Sequence, residues 1–379
     1  MKRVGFISIQ QQQGIYADGY EVTPVRTGYE QIVAQRTSSI FATAAEQDGE
    51  VISVDEHGIT VKYADGEIVS SPLGIVHGTA AGVNYPHDLV TDLKKGDKFK
   101  HGDTIAYNRK YFTADRYAPG QVLWKAGCMA TVAFCDNLDT LEDGSTISKE
   151  LAVRLQTQTT DIKNITVRFD QHVSELVKRG DHVDLNSILC IIEDPETAEN
   201  TLFGDAAIET LRRLAAHTPR AKVVGTVSKI ECYYHGDIED MSENLQAIAR
   251  ASDKQRADIA KSLNQPVFTG EVDSSFRVKG QILEPDHMVI RIYIDHDISC
   301  GVGDKGVLGN QMKTVISRVM EGRNETEDGT PIDLIFGNTS VEERMVMSPK
   351  LISTTSILLR ALSKHIAGVY RGTTNAKAK

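Results

Sequence analysis

The richest chemistry in the sequence lies in Gly303-Asp304-Lys305-Gly306-Val307-Leu308-Gly309-Asn310-Gln311-Met312-Lys313-Thr314-Val315-Ile316-Ser317. Glycines at 303, 306 and 309 permit a tight backbone path and close approach of a ligand. Lys305 and Lys313 each carry a compact cation on a flexible stem, a form suited to phosphate oxygens. The run lacks the Gly-Lys-Ser/Thr ending of a Walker A loop, so a nucleotide cradle of that kind is excluded. On residue types alone, two solvated loop lysines and a phosphate clamp stand level. Arg344, among Val341, Met345 and Met347, either ties down a loop or offers a planar fork of donors to a phosphate. The adjacent carboxylates Glu142 and Asp143 gain interest only if the fold brings them near the lysines, where they could touch metal-bound water or orient a cation.

These residues need a scaffold, and the first 155 residues read as short strands joined by polar turns. Glu50 to Val54, Ile59 to Tyr63 and Glu67 to Ser70 form a meander-like pattern. The Gly-Asp pairs Gly96-Asp97 and Gly102-Asp103 mark tight reversals, and a related Gly180-Asp181 follows later. A helix is expected from about Asp205 to Ala216, and strand character returns from Lys222 to Cys232. Met241 to Leu263 is the longest helical candidate, capped by Asp240 or Ser242; its many charges suit a projecting helix more than a central one. A separate exposed module is therefore placed between about Thr157 and Pro285. Ile290, Ile292 and Ile294 alternate within a strand from His287 to Ile298, and phosphate chemistry is expected in the loop after it. A last helix begins near Ser353 with an apolar stripe of Ile357, Leu358, Leu359, Leu362, Ile366 and Val369.

Charge is unevenly spread. The chain carries 42 basic and 52 acidic residues for a formal charge of -10, which argues against wrapping nucleic acid with the whole surface. Yet Lys350, Arg360, Lys364, Arg371, Lys377 and Lys379 share a segment without Asp or Glu, and four lysines surround Asp97 between Lys94 and Lys100. That distribution fits one part of an assembly confining a polyanion. Cys128, Cys135, Cys190, Cys232 and Cys300 are too scattered for a zinc knuckle or redox pair and read as reduced structural thiols. No stretch is apolar for long enough to serve as a signal peptide or membrane span.

Gly303-Asp304-Lys305, with Lys313 eight residues on and Val315-Ile316-Ser317 after it, resembles the region of cellular RNA polymerase β subunits that carries two active-centre lysines. Glu327-Asp328-Gly329-Thr330-Pro331-Ile332-Asp333 resembles the next segment of that subunit, and Val341-Glu342-Glu343-Arg344-Met345 the one whose arginine faces the incoming nucleotide. Upstream, in the same order, stand Thr27-Gly28-Tyr29-Glu30, Gly49-Glu50-Val51, Val132-Ala133-Phe134, Leu141-Glu142-Asp143 and Ile147-Ser148-Lys149-Glu150. Arg179-Gly180-Asp181, Asn200-Thr201-Leu202-Phe203-Gly204 and Gly225-Thr226-Val227 match its flap region. The likeness runs from Thr23 to Ser348. It departs around the second lysine, where the family has Arg-His-Gly-Asn before and Gly after; here Leu308-Gly309-Asn310-Gln311-Met312 precedes Lys313 and Thr314 follows.

The resemblance implies a mixed α+β, β-rich fold with a double-psi β-barrel-like catalytic core and an inserted flap-like module. Residues 1–156 would form the hybrid-binding and barrel core, 157–285 the flap, 286–350 the returning barrel and active-centre loop, and 351–379 a basic helix and tail. It further implies the C-terminal half of a split β subunit, as in large-genome bacteriophages, working in the cytoplasm of an infected bacterium with virion packaging left open. The reaction would be DNA-templated phosphodiester synthesis from nucleoside triphosphates. Lys305 and Lys313 would be catalytic, Arg344 would bind substrate, and Glu142 and Asp143 would be secondary active-centre groups. Mg2+ would be held mainly by a β′-like partner, with no ligand from this chain. The partners would be an N-terminal β-like chain, β′-like chains and an initiation factor, together with template DNA, RNA and nucleotides. A non-catalytic architectural nucleic-acid-binding subunit and a small-molecule phosphate-binding enzyme are the competing readings.

Overall fold

The computed structural model describes residues 2–9, 16–23, 26–80, 82–194, 217–308, 312–327, 329–343 and 348–373, with side chains from residue 16 onward. The helix expected over Asp205 to Ala216, the flap fragment Asn200 to Gly204 and Arg344 lie outside the described residues. The fold is mixed α+β and rich in strands. None of the described helices is long and apolar enough to cross a membrane. The chain divides into two compact units that interleave in sequence: Met1–Thr37, Asn108–Thr157 and Ile298–Lys379 form the first, Ser38–Tyr107 and Gln158–Asp297 the second.

The first unit is built on a closed ring of six strands: β1 (Lys2–Ile9), β2 (Cys128–Phe134), β3 (Gly144–Ser148), β4 (Lys305–Leu308), β5 (Met312–Met320) and β6 (Leu334–Phe336). Around the ring the order is β1, β2, β6, β3, β5, β4. Two neighbouring pairs, β2 with β6 and β3 with β5, run parallel, and the others run antiparallel. Strand alternation explains the core. Cys128, Ala130, Val132 and Phe134 from β2 meet Met312 and Ile316 from β5 and Leu334 and Phe336 from β6, all buried on one side of their strands. Among the described residues, five α-helices accompany the strands: α1 (Tyr29–Arg36), α2 (Lys149–Arg154), α3 (Glu243–Ser262), α4 (Asn338–Glu342) and α5 (Ser348–Tyr370). All but α3 belong to the first unit. Glu30 fastens the start of α1 by accepting the backbone N–H groups of Thr27 at 3.2 Å and Gly28 at 2.9 Å; the bond from its own backbone N–H, joined by these, holds its carboxyl below the usual range.

The second unit contains an eight-stranded sheet and a strongly curled, half-barrel sheet of four strands, Gly49–Val54, Gly58–Tyr63, Ile68–Pro72 and Lys98–Phe99. The Gly-Asp turn signals all take one form. Gly96, Gly102 and Gly180 have φ of 87°, 83° and 94°, the left-handed value required at the third position of a type II turn. The following aspartates, Asp97, Asp103 and Asp181, each accept the N–H three residues back, from Lys94, Lys100 and Lys178, at 2.8, 2.8 and 2.7 Å.

Helix α3 corrects an expectation. It does not project: it lies on the strand Gly225–His235, with Leu245 and Ala249 fully buried in the core of the second unit. Several polar residues that made it look solvated are ties to the sheet. Ser252 accepts the N–H of Cys232 at 3.1 Å, Arg256 donates to the carbonyl of Cys232 at 2.7 Å, and Asp253 accepts from Tyr234 Oη at 2.7 Å. Ser242 occupies the cap position but turns its hydroxyl to the Gln171 carbonyl instead of the helix.

All five cysteines are free, and only Cys135 is exposed. Burial pushes the thiols of Cys128 and Cys190 up to about 11 and those of Cys232 and Cys300 to about 12, which keeps them protonated and inert at neutral pH.

The packing of α3 is testable by truncation. Leu245→Ala should lower the urea-unfolding free energy by about 2–5 kcal/mol, the usual loss for a fully buried leucine. The solvent-facing control Lys254→Ala should stay within about 0.5 kcal/mol of wild type. Equal, small losses in both variants would contradict the packed arrangement.

Candidate functional site at the barrel rim

The two lysines lie on strands, not in the loop expected from their glycines. Lys305 opens β4 and Lys313 is the second residue of β5. The strands pair antiparallel, with Lys305 opposite Val315 and Val307 opposite Lys313. Residues two apart share a face, so Lys305, Val307, Lys313 and Val315 point outward together. Gly306, Leu308, Met312, Thr314 and Ile316 are buried on the other side. The lysines thus form a diagonal pair on one outer face, a relation that sets such residues about 7–8 Å apart. That spacing lets two ammonium groups converge on neighbouring phosphates. Gly303, with φ of 94°, turns the chain into β4, donating its N–H to the Ile316 carbonyl at 2.8 Å.

The acidic pair is brought to the same hairpin. Glu142 and Asp143 have φ of 47° and 67°, and Gly144 N–H returns to the Leu141 carbonyl at 2.9 Å. Positive φ at both central residues of a closed turn is the pattern of type I′, normally filled by Asn and Gly. Here two residues with side chains occupy it. The turn feeds into β3, where Gly144 pairs with Val315, the partner of Lys305. One row across three strands therefore joins the end of the acidic turn to the first lysine. The Asp143 carbonyl accepts from Thr314 Oγ1 at 2.8 Å and from Val315 N–H at 3.2 Å. Its own N–H donates to Ser340 Oγ of α4 at 3.3 Å. Further along β5, Ser317 Oγ donates to the Asp139 and Ser145 carbonyls, and Arg318 pairs with Asp139 at 3.3 Å.

Sequence reading did not single out Thr314, Ser317 or Ser340. The available signal was the alternation itself, which puts a polar Thr314 among inward-facing apolar positions. Helix α4, with Val341 in the barrel core, also anchors the segment that leads toward position 344. Asp333 ties the barrel from below: its carboxylate accepts Thr131 N–H at 2.7 Å while its carbonyl accepts Ser148 N–H at 2.7 Å. Among the described residues, no three His, Cys, Asp or Glu side chains gather closely enough to hold a metal ion. The rim offers two lysines on the β4–β5 hairpin and two carboxylate residues in the turn before β3, a surface able to bind and orient phosphate groups.

A second concavity belongs to the other unit, a cleft of about 520 Å³ lined by His77, Arg179, Lys229, Glu231, Tyr233 and Tyr293 among others. Its Lys229 is already paired with Glu231 at 2.5 Å, and Tyr293 Oη donates to the same carboxylate at 2.8 Å. Internal neutralisation of this kind weakens the cleft as a phosphate site.

No family model matches the chain. Bacterial proteins described as DNA-directed RNA polymerase subunit beta do match, distantly and repeatedly. That of Thermus aquaticus is 26% identical over 371 residues, covering 94% of this chain and 30% of the relative. That of Mycoplasmopsis pulmonis is 24% identical over 388 residues, covering 97% and 29%. That of Lactobacillus delbrueckii subsp. bulgaricus is 26% identical over 335 residues, covering 86% and 25%. The chain spans less than a third of the length of each of these relatives.

The strained turn makes an unusual stability prediction. Left-handed backbone costs a residue bearing a Cβ roughly 1–2 kcal/mol, partly offset in glycine by its greater unfolded-state entropy. Glu142→Gly should therefore raise the unfolding free energy by up to about 1 kcal/mol. Glu142→Ala should not raise it. A glycine variant less stable than the alanine variant in urea titrations would contradict the assigned turn.

Proposed function

We propose that this chain is the C-terminal-half β-type portion of a split, multisubunit DNA-directed RNA polymerase of bacteriophage type. In this reading its ring of strands is a double-psi β-barrel. The observation that carries the proposal is the rim: Lys305 and Lys313 share one outer face of the β4–β5 hairpin, and Glu142 and Asp143 adjoin it. The two parallel pairs in the ring support the barrel reading, and the distant β-subunit similarity supports the family.

In the proposed reaction the RNA 3′ oxygen attacks the α-phosphorus of the incoming nucleotide. A new P–O bond forms, the bond to the α–β bridging oxygen breaks, and pyrophosphate leaves with the electron pair while the 3′ hydroxyl proton is released. Lys305 and Lys313 contact the phosphates of the RNA end and the nucleotide, neutralising charge that grows on the phosphoryl oxygens. Arg344 faces the triphosphate, and Glu142 and Asp143 act at one remove. Magnesium, supplied mainly by a β′-like chain, would activate the nucleophile and steady the leaving group.

Further partners are an N-terminal β-like chain, template DNA, RNA and an initiation factor. Helix α5 supports an assembled state: Leu358, Leu362 and Ile366 are 65%, 53% and 57% exposed. Contiguous apolar surface of that sort marks an interaction face. Residues 157–285 are proposed as the flap-like module, and 286–350 as the returning active-centre segment. The setting is the infected bacterial cell.

The test is reconstitution with the β′-like and N-terminal β-like chains, followed by single-nucleotide addition on a preformed RNA–DNA scaffold. Lys305→Ala and Lys313→Ala should each slow bond formation by roughly two to three powers of ten while assembly and scaffold binding persist. Near-normal addition by the assembled double variant would remove the lysines from the mechanism and favour an architectural role. Templated synthesis by the isolated chain would overturn the division of labour between subunits.

A further inference from the structure

We infer that Thr314 is a positioning residue: its buried hydroxyl, with Ser340 on the opposite side, clamps the strained Glu142–Asp143 turn against the strand that carries Lys313. The inference rests on the rim being the reaction surface. It assigns a role to a residue outside the set of phosphate-facing groups.

Left-handed backbone at two successive residues with side chains persists only when the surroundings over-determine it, and such strain gathers at working sites. The surroundings here are specific. Thr314 is 2% exposed and donates to the Asp143 carbonyl at 2.8 Å. Ser340, 7% exposed, receives the Asp143 N–H at 3.3 Å. Both polar groups of one peptide residue are therefore held by hydroxyls from different elements, one from β5 and one from α4. Val315 N–H gives the carbonyl a second bond, at 3.2 Å, the third made by the Asp143 backbone. The ordinary solution for a type I′ turn is Asn-Gly, which needs no clamp. Keeping Glu and Asp there places two carboxylates at the end of β3, in the row that includes Val315 and Lys305.

Thr314 links the two halves of the rim through consecutive residues. Its neighbour Lys313 projects outward while its own side chain points inward to the turn, so a shift of the turn and a shift of the lysine strand are coupled.

Thr314→Val removes the donor at nearly constant shape and leaves the Asp143 carbonyl its bond from Val315, so the variant should fold. Thr314→Ser keeps the hydroxyl. In the reconstituted complex, Thr314→Val should slow single-nucleotide addition about tenfold with the nucleotide KM within about twofold of wild type. Thr314→Ser should restore the rate. In parallel, amide hydrogen exchange on the full-length chain should show faster exchange at Gly144 and Val315 in Thr314→Val than in wild type or Thr314→Ser. Equal addition rates in the valine and serine variants would overturn the positioning role, whatever exchange shows. Unchanged exchange in Thr314→Val would overturn the clamp itself. Wild-type complexes that add no nucleotide would instead overturn the polymerase reading, so the two failures are told apart.

Discussion

The four-residue strand Lys305–Leu308 has a neighbour on each edge, and the first unit depends on that double pairing. On one side β4 meets β1 through Gly306, Val307 and Leu308; on the other it meets β5 along its whole length. Closing the ring removes the last free edge and fixes the register of the hairpin. Register decides which side chains the rim presents, because a slip by one residue would turn Lys305 inward and Gly306 outward. Apolar Leu308, Met312 and Ile316 have to face the barrel core, and that hydrophobic demand holds both lysines on the outer face.

The same constraint explains the location of the acidic turn. Strand β3 runs parallel to β5, so the residues before it arrive at the lysine end of the hairpin. A parallel neighbour cannot be joined to β5 by a tight turn, so the chain must travel far between them. The 141–144 turn and the lysines are thus distant in sequence yet share a rim. Opposite charges on such a rim suit a surface that positions phosphates in competition with water. The strain in Glu142 and Asp143 is offset by hydroxyls from β5 and α4, which makes the rim a cooperative unit of three elements.

Much of the strand layout was legible from local signals. The alternation of Ile290, Ile292 and Ile294 marks the strand His287–Ile298, and the Gly-Asp pairs mark turns whose left-handed glycines the structure contains. The loop expected around Lys305 and Lys313 was misread because glycine suggests irregular backbone. In the barrel strand, Gly306 instead takes a buried, inward position. Helix α3 was misread because Asp253 and Arg256 count as solvent-facing charges in any composition-based view. In the fold they pair with each other at 2.9 Å, Arg256 donates to the Cys232 carbonyl of the sheet and Asp253 accepts the N–H of Gly270, contacts that only tertiary structure reveals. The bonds that Ser340 and Thr314 make to Asp143 were invisible for a related reason: they span 197 and 171 residues along the chain.

The central claim is that the outer face of the β4–β5 hairpin meets the reacting phosphates. A direct measurement is crosslinking from an RNA whose 3′-terminal nucleotide carries an aldehyde- or aryl-azide-bearing group, in a reconstituted complex on a DNA template, followed by peptide mapping. The account predicts adducts on Lys305 or Lys313, lost when the corresponding lysine is replaced and suppressed by a competing unmodified RNA 3′ end. Adducts confined to the second unit, with the hairpin unlabelled in an active complex, would contradict it.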